Sequence, residues 1–154
     1  MRNLGIGMLA LSTLSLGCDN NLDTIDGHVL GKPESVVFAR NDNDHMMVIM
    51  SNLPDLCDSL SSSDLPAKDD FWVLSAWTSV NVDAPGEYAV EAYVAVSENT
   101  ELEEFDTESG GIKFKRLGAD NLKARIDVTF PGNHRVKANI TAEFCDADLF
   151  VGMY

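Results

Sequence analysis

Residues 122–144 alternate apolar and polar side chains almost without a break, and no other feature of the 154-residue chain narrows its fold so far. Leu122, Ala124, Ile126, Val128 and Phe130 interleave with Lys123, Arg125, Asp127 and Thr129. Val136, Ala138, Ile140, Ala142 and Phe144 do the same with Arg135, Lys137, Asn139, Thr141 and Glu143. A period of two sends each apolar set to one face of a strand. Pro131-Gly132-Asn133-His134 separates the two runs, so the segment predicts an antiparallel hairpin with one buried and one wet face. On the wet face Asp127 is expected opposite Lys137, and Lys123 opposite Glu143.

Strands are also predicted over His28–Gly31, Ser35–Arg40, His45–Ser51, Phe71–Ser79, Glu87–Val96 and Gly111–Leu117. Asn41-Asp42-Asn43-Asp44 has turn composition, and Ala84-Pro85-Gly86 and Gly118-Ala119-Asp120-Asn121 punctuate later strands. One helix interrupts them. Leu53, Leu56, Cys57 and Leu60 fall on one helical face, with Asn52 and Pro54 at its start, so Cys57 is aimed at the sheet. Ser61-Ser62-Ser63 and the Asp/Lys/Pro-rich residues after it form the return loop. The predicted class is all-β: an antiparallel β-sandwich or small barrel of about eight strands with one short helix.

Met46–Met50 and Phe71–Trp77 are apolar on both faces, which belongs to strands covered on both sides. A membrane β-barrel, with its polar lumen, is not expected. Trp72 and Trp77, five apart, fall on opposite faces of their strand, with core packing as the expectation and a pocket lining as the alternative.

Few patterns point to chemistry. His28, His45 and His134 are scattered, with no i, i+2 or i, i+4 pair, so no metal site and no cofactor is predicted. No serine lies in a Gly-x-Ser-x-Gly elbow and no glycine-rich phosphate loop is present; Gly110-Gly111 reads as the start of a strand. Asp19, Asn21 and Asp23 fit the first positions of a calcium loop, but Thr24 and Leu30 replace its glycine and its glutamate. Glu98, Glu101, Glu103, Glu104, Asp106 and Glu108 form an acidic run expected to be a solvated loop. Seven of the eleven basic residues lie between Lys113 and Lys137, so charge is segregated along the chain. No catalytic residue is assigned, and the chain is not expected to be an enzyme; a hydrolase has no nucleophile–base arrangement in its favour.

The N-terminus carries an address. Arg2 precedes an apolar stretch, Leu4 to Leu16, too short for the roughly 20 residues that span a bilayer. Leu14-Ser15-Leu16-Gly17-Cys18 closes it. This resembles the signal of bacterial lipoproteins, in which the cysteine is acylated (palmitate among its chains) and begins the mature protein. The resemblance implies a signal peptide over 1–17, a lipidated tether over 18–26, and one β-rich domain over 27–154. It implies membrane attachment through Cys18 at the cell envelope, with Asp19 favouring the inner membrane. Removing 1–17 leaves ten basic residues against twenty-five acidic ones, about −15 in all. That balance disfavours nucleic acid and anionic lipid head groups as partners. In an exported chain the two remaining thiols, Cys57 and Cys145, are expected to form a disulfide. Together with Gly27-His28-Val29-Leu30-Gly31-Lys32 and Phe144-Cys145-Asp146, the signal resembles small two-cysteine β-domain lipoproteins. The expected function is a non-enzymatic binding or structural module of unknown ligand, or else a lipocalin-like carrier of a small apolar molecule.

Overall fold

In a computed structural model of the chain, the described residues are 21–22, 24–25, 27–62, 70–99 and 101–147. In chain order they form β1 (Asn21–Leu22), β2 (Thr24–Ile25), β3 (His28–Val29), β4 (Ser35–Arg40), β5 (Met46–Ser51), α1 (Leu56–Ser62), β6 (Phe71–Thr78), β7 (Gly86–Glu98), β8 (Glu101–Asp106), β9 (Ser109–Leu117), β10 (Asn121–Phe130) and β11 (His134–Phe144).

Of the two predicted architectures, the chain adopts the barrel. Strands β4 to β7 form a meander, β9, β10 and β11 continue it, and β11 returns to β4. The first half of β7 pairs with β9 and the second half with β8. Ala89 lies opposite Gly111 while Tyr93 lies opposite Asp106, so the partner strand carries one extra residue between the two halves. Thr107 bridges the gap, its N–H donating to Ala92 O at 2.9 Å and its Oγ1 accepting from Ala92 N at 3.0 Å. Strands β8 and β9 therefore make one bulged stave, and the barrel has seven staves among the described residues. An antiparallel meander with an odd number of staves must close with a parallel pair. The seam obeys: Glu143 and Phe144 of β11 pair in parallel with Val37 and Phe38 of β4. A second bulge, where Lys115 is the extra residue between β9 and β10, adds the local twist that curls a sheet toward closure.

The even-numbered positions of β10 from Leu122 to Phe130 and of β11 from Val136 to Ala142 point into the barrel, as the alternation predicts. Met46, Val48 and Met50 of β5 join them with Trp72, Leu74 and Ala76 of β6. The opposite faces of β5 and β6 are also covered, because Leu56 of α1 and Cys145 pack onto Met47, Ile49 and Val73 outside the barrel. Trp77 lies with this outer cluster and Trp72 with the inner one. An apolar interior is the reverse of a membrane barrel's polar lumen.

Both barrel ends are stoppered. At one, Val82 is fully buried, its N–H donating to Asp44 O at 3.0 Å. At the other, β2 and β3 form a separate two-stranded hairpin that sinks Ile25 and Leu30 into the core. The segment expected as a tether thus contributes β1 and β2, and β1 lies along β11 with Asn21 opposite Lys137. The hairpin is held by His28. Its Nε2 is 3.3 Å from Glu103 Oε2, and its Nδ1 is 3.2 Å from Glu98 Oε2 but off the line of a hydrogen bond.

Three local expectations differ in detail. The acidic run is not a loop: β7 extends to Glu98, and Glu101–Asp106 pairs with it as β8. Its wet positions stay exposed, but Phe105 turns inward against the core. The helix starts at Leu56, later than Asn52-Pro54 suggests, because Asn52 Oδ1 is taken by Trp72 N at 2.9 Å. Asp127 does lie opposite Lys137, yet its carboxylate is gripped by Arg135 through two bonds of 2.6 Å; Lys123 lies opposite Thr141 rather than Glu143.

Candidate functional site

The barrel interior is the first candidate, because closure of seven staves encloses a surface that no water-exposed residue shares. Nearly every lining side chain is apolar, and Met50, Leu74, Ile126, Val128 and Phe130 are fully buried. One polar atom breaks the pattern. Trp72 is 3 % exposed, and its indole Nε1–H has no acceptor within hydrogen-bond reach. A buried donor without a partner carries a desolvation cost of about 1–3 kcal/mol, so this N–H is a place in the core where an incoming acceptor gains a bond. Trp72 sits opposite Val96, close to the stoppered end where β7 turns into β8. Met46 and Met50 are also in the core cluster; unbranched thioether chains repack more readily than branched ones.

Among the described residues, three open grooves stand out on the outside of the barrel. One of about 500 Å³ runs between α1 and the seam, lined by Glu34, Ser35, Asp55, Asp58, Thr141 and Glu143 among others. Its acidic rim follows from the exposed ends of α1 and β11. A second, about 590 Å³, lies on the outer face of β9, β10 and β11, with Lys113, Arg125 and Arg135 facing Glu87 and Asp127 across a floor that includes Gly111. The third, about 350 Å³, lies at the barrel rim between Phe38, Arg40, Leu117 and the half-exposed Phe144. Within the second groove, the Arg135 guanidinium holds the Asp127 carboxyl below its ordinary range, chiefly by hydrogen bonding, and Lys137 and Arg125 add to the effect.

Cys57 and Cys145 form the expected disulfide, with 5.6 Å between their Cα atoms. Cys145 follows the last residue of β11, and its N–H donates to Phe38 O at 2.8 Å, so the bridge ties α1 to the barrel seam. Cys18, Asp19 and the apolar stretch before them lie outside the described residues, as does Asp23 of the partial calcium loop. The histidines are not brought together: His28 holds the end hairpin, His45 begins β5's approach, and His134 opens β11. Among the described residues no group of three or more His, Cys, Asp or Glu side chains is placed to hold a metal ion.

Sequence reasoning placed Trp72 on one face and Trp77 on the other but had no means of seeing that the Trp72 N–H lacks a partner, since that depends on every neighbouring strand. The charge segregation was visible; its concentration on one wall required the register of three strands. No family model matches the chain, and neither a curated protein nor a solved structure matches it.

Proposed function

We propose that this chain is a lipid-anchored envelope module whose barrel carries a small, largely apolar molecule bearing one hydrogen-bond acceptor. The observation that supports this most is a closed barrel lined by apolar side chains with, among the described ones, an unpaired donor at Trp72 Nε1. Small β-barrels either fill their interior with side chains or hold one small ligand there. Here the interior side chains pack on one another, so a ligand enters by displacing them. The Met46 and Met50 side chains supply that give, and the ligand is small. The reading assigns the module no reaction. The anchor half of the reading rests on the Leu14–Cys18 signal, and mass spectrometry of Cys18 in a bacterial host tests it.

The carrier half is tested with a dansyl-labelled fatty acid as the probe. In a Trp77→Phe background, energy transfer to the dansyl group reports on Trp72 alone. Saturable one-to-one transfer is expected, and affinity read from the dansyl group's own emission is about fivefold weaker in Trp72→Phe, the factor that corresponds to roughly 1 kcal/mol for one lost hydrogen bond. Transfer that never saturates, or binding indifferent to the loss of the indole, would refute the carrier and leave a module that works through its surface grooves.

A further inference from the structure

The outer wall formed by β9, β10 and β11 carries Lys113, Lys115, Lys123, Arg125, Arg135 and Lys137 in a chain whose net charge is −14. Part of this charge is neutralised in place: Arg135 pairs with Asp127 at 2.6 Å, and Lys113 stands 4.0 Å from Glu87. Lys115 donates to Asn139 at 2.9 Å, a neutral acceptor. Among the described residues Lys115, Lys123, Arg125 and Lys137 make no salt bridge, although Arg125 and Lys137 act on Asp127 at longer range, and Glu143 is the further acid on the wall. The face is therefore a cationic island on an acidic protein.

Strand β1 fixes where the chain outside the structure reaches this wall. Asn21 lies opposite Lys137 on β11, and Cys18 is only three residues earlier in sequence. Three residues span at most about 11 Å when fully extended. An acyl group on Cys18 thus brings the bilayer to within that distance of the cationic island.

We infer that the outer face of β9–β10–β11 docks on anionic lipid headgroups, laying the barrel on its side at the membrane. This rests on the lipid-anchor reading above and adds the orientation. The net negative charge does not veto it. The acidic tip at Glu101–Glu104 is separated from Lys113 by about nine residues of strand, roughly 30 Å. Charges farther apart than about 8 Å are largely screened at physiological ionic strength. The lipid surface meets the nearby cations and not the chain's total. Four cations without a salt bridge give only weak attraction to a free chain. The tether makes the encounter intramolecular, where a weak preference is enough to set an orientation.

The test uses the chain starting at Cys18, the expected mature protein. With the Cys57–Cys145 bridge intact, Cys18 is the only free thiol, and it is coupled to a maleimide lipid in vesicles. Lysine acylation is then followed by mass spectrometry. On vesicles with one-third phosphatidylglycerol, labelling of Lys113 and Lys137 is expected to fall several-fold relative to exposed Lys32, compared with pure phosphatidylcholine vesicles. The protection is lost at high salt and in Lys123→Glu/Arg125→Glu. Equal labelling on the two kinds of vesicle overturns the docking, as does protection that survives the double variant. Because chemical coupling replaces native acylation, failure here is distinguishable from failure of the anchor, which the mass of native Cys18 decides.

Discussion

Single side chains decide how closely two staves of the barrel approach. A Cβ on Gly110 would overlap Val128 Cγ1 on the neighbouring strand and lie 3.3 Å from its backbone Cα, so this position admits only hydrogen. Gly110→Ala is expected to lose about 1–3 kcal/mol through overpacking. Adding Val128→Ala is expected to recover part of that loss, and a double-mutant cycle by urea denaturation reads the coupling. Asp127 shows the other residue-level lever, charge. Arg135 holds its folded-state pKa below the ordinary 3.8. A depressed carboxylate pKa stabilises the fold fully above the unfolded value and loses that contribution as pH falls through the folded one. Asp127→Asn is therefore expected to be less stable than the parent at pH 7 and to converge with it as pH drops below 3.8. The gap is small, because the pair sits at the surface. A gap that widens in acid would contradict the assignment.

At the scale of elements, the weakest join is the seam, where β11 and β4 share only two paired positions. The disulfide lies immediately beyond it and spans 88 residues of sequence. Closing a loop of that size removes about 4 kcal/mol of unfolded-state entropy in the chain-entropy picture. Reduction, or Cys57→Ser/Cys145→Ser, is expected to cost up to that amount. Hydrogen exchange should rise first at Val37, Phe38 and Cys145 while the β10–β11 hairpin stays protected. Uniform loss of protection would instead mean that the barrel opens as one unit. The same elements show what was legible beforehand. Strands β10 and β11 have one wet face, so their period of two is written in the sequence. Strands β5 and β6 have none to write, because α1 and Cys145 cover their outer side; they read as apolar runs whose direction only the structure supplies. Strand β8 reads as a loop because four of its six residues are acidic. Its free edge is where charge belongs, since charged edges resist pairing with other chains. Of the candidate site, the sequence shows the tryptophan faces and the cysteine pair, whereas the unpaired Trp72 N–H and the cationic wall arise from strands far apart in the chain.

The molecule as a whole is a stoppered barrel, and its two stoppers are unequal. Val82 is carried by a short loop between two long staves, β6 and β7. The other stopper is a hairpin of two-residue strands, with Thr24 opposite Val29 and Ile25 opposite His28. Strands that short have no independent stability. The hairpin stays in place because Ile25 and Leu30 are buried and His28 lies between Glu98 and Glu103. Replacing Ile25 or Leu30 by Ala is expected to cost about 2–5 kcal/mol each, the usual range for emptying such a site. His28→Ala leaves Ile25 and Leu30 in place and removes the ring that packs beside Phe105 and bridges the two glutamates. In that variant the amides of residues 24–30 are expected to exchange faster, with β10 and β11 unchanged and global stability little altered. If the barrel carries a ligand past this end, the dansyl probe also enters the His28→Ala protein faster without binding it more tightly, because a gate changes rates and leaves the occupied state alone. Slower entry, or a loss of protection that spreads through all seven staves, would show the hairpin to be an integral part of the core rather than its stopper.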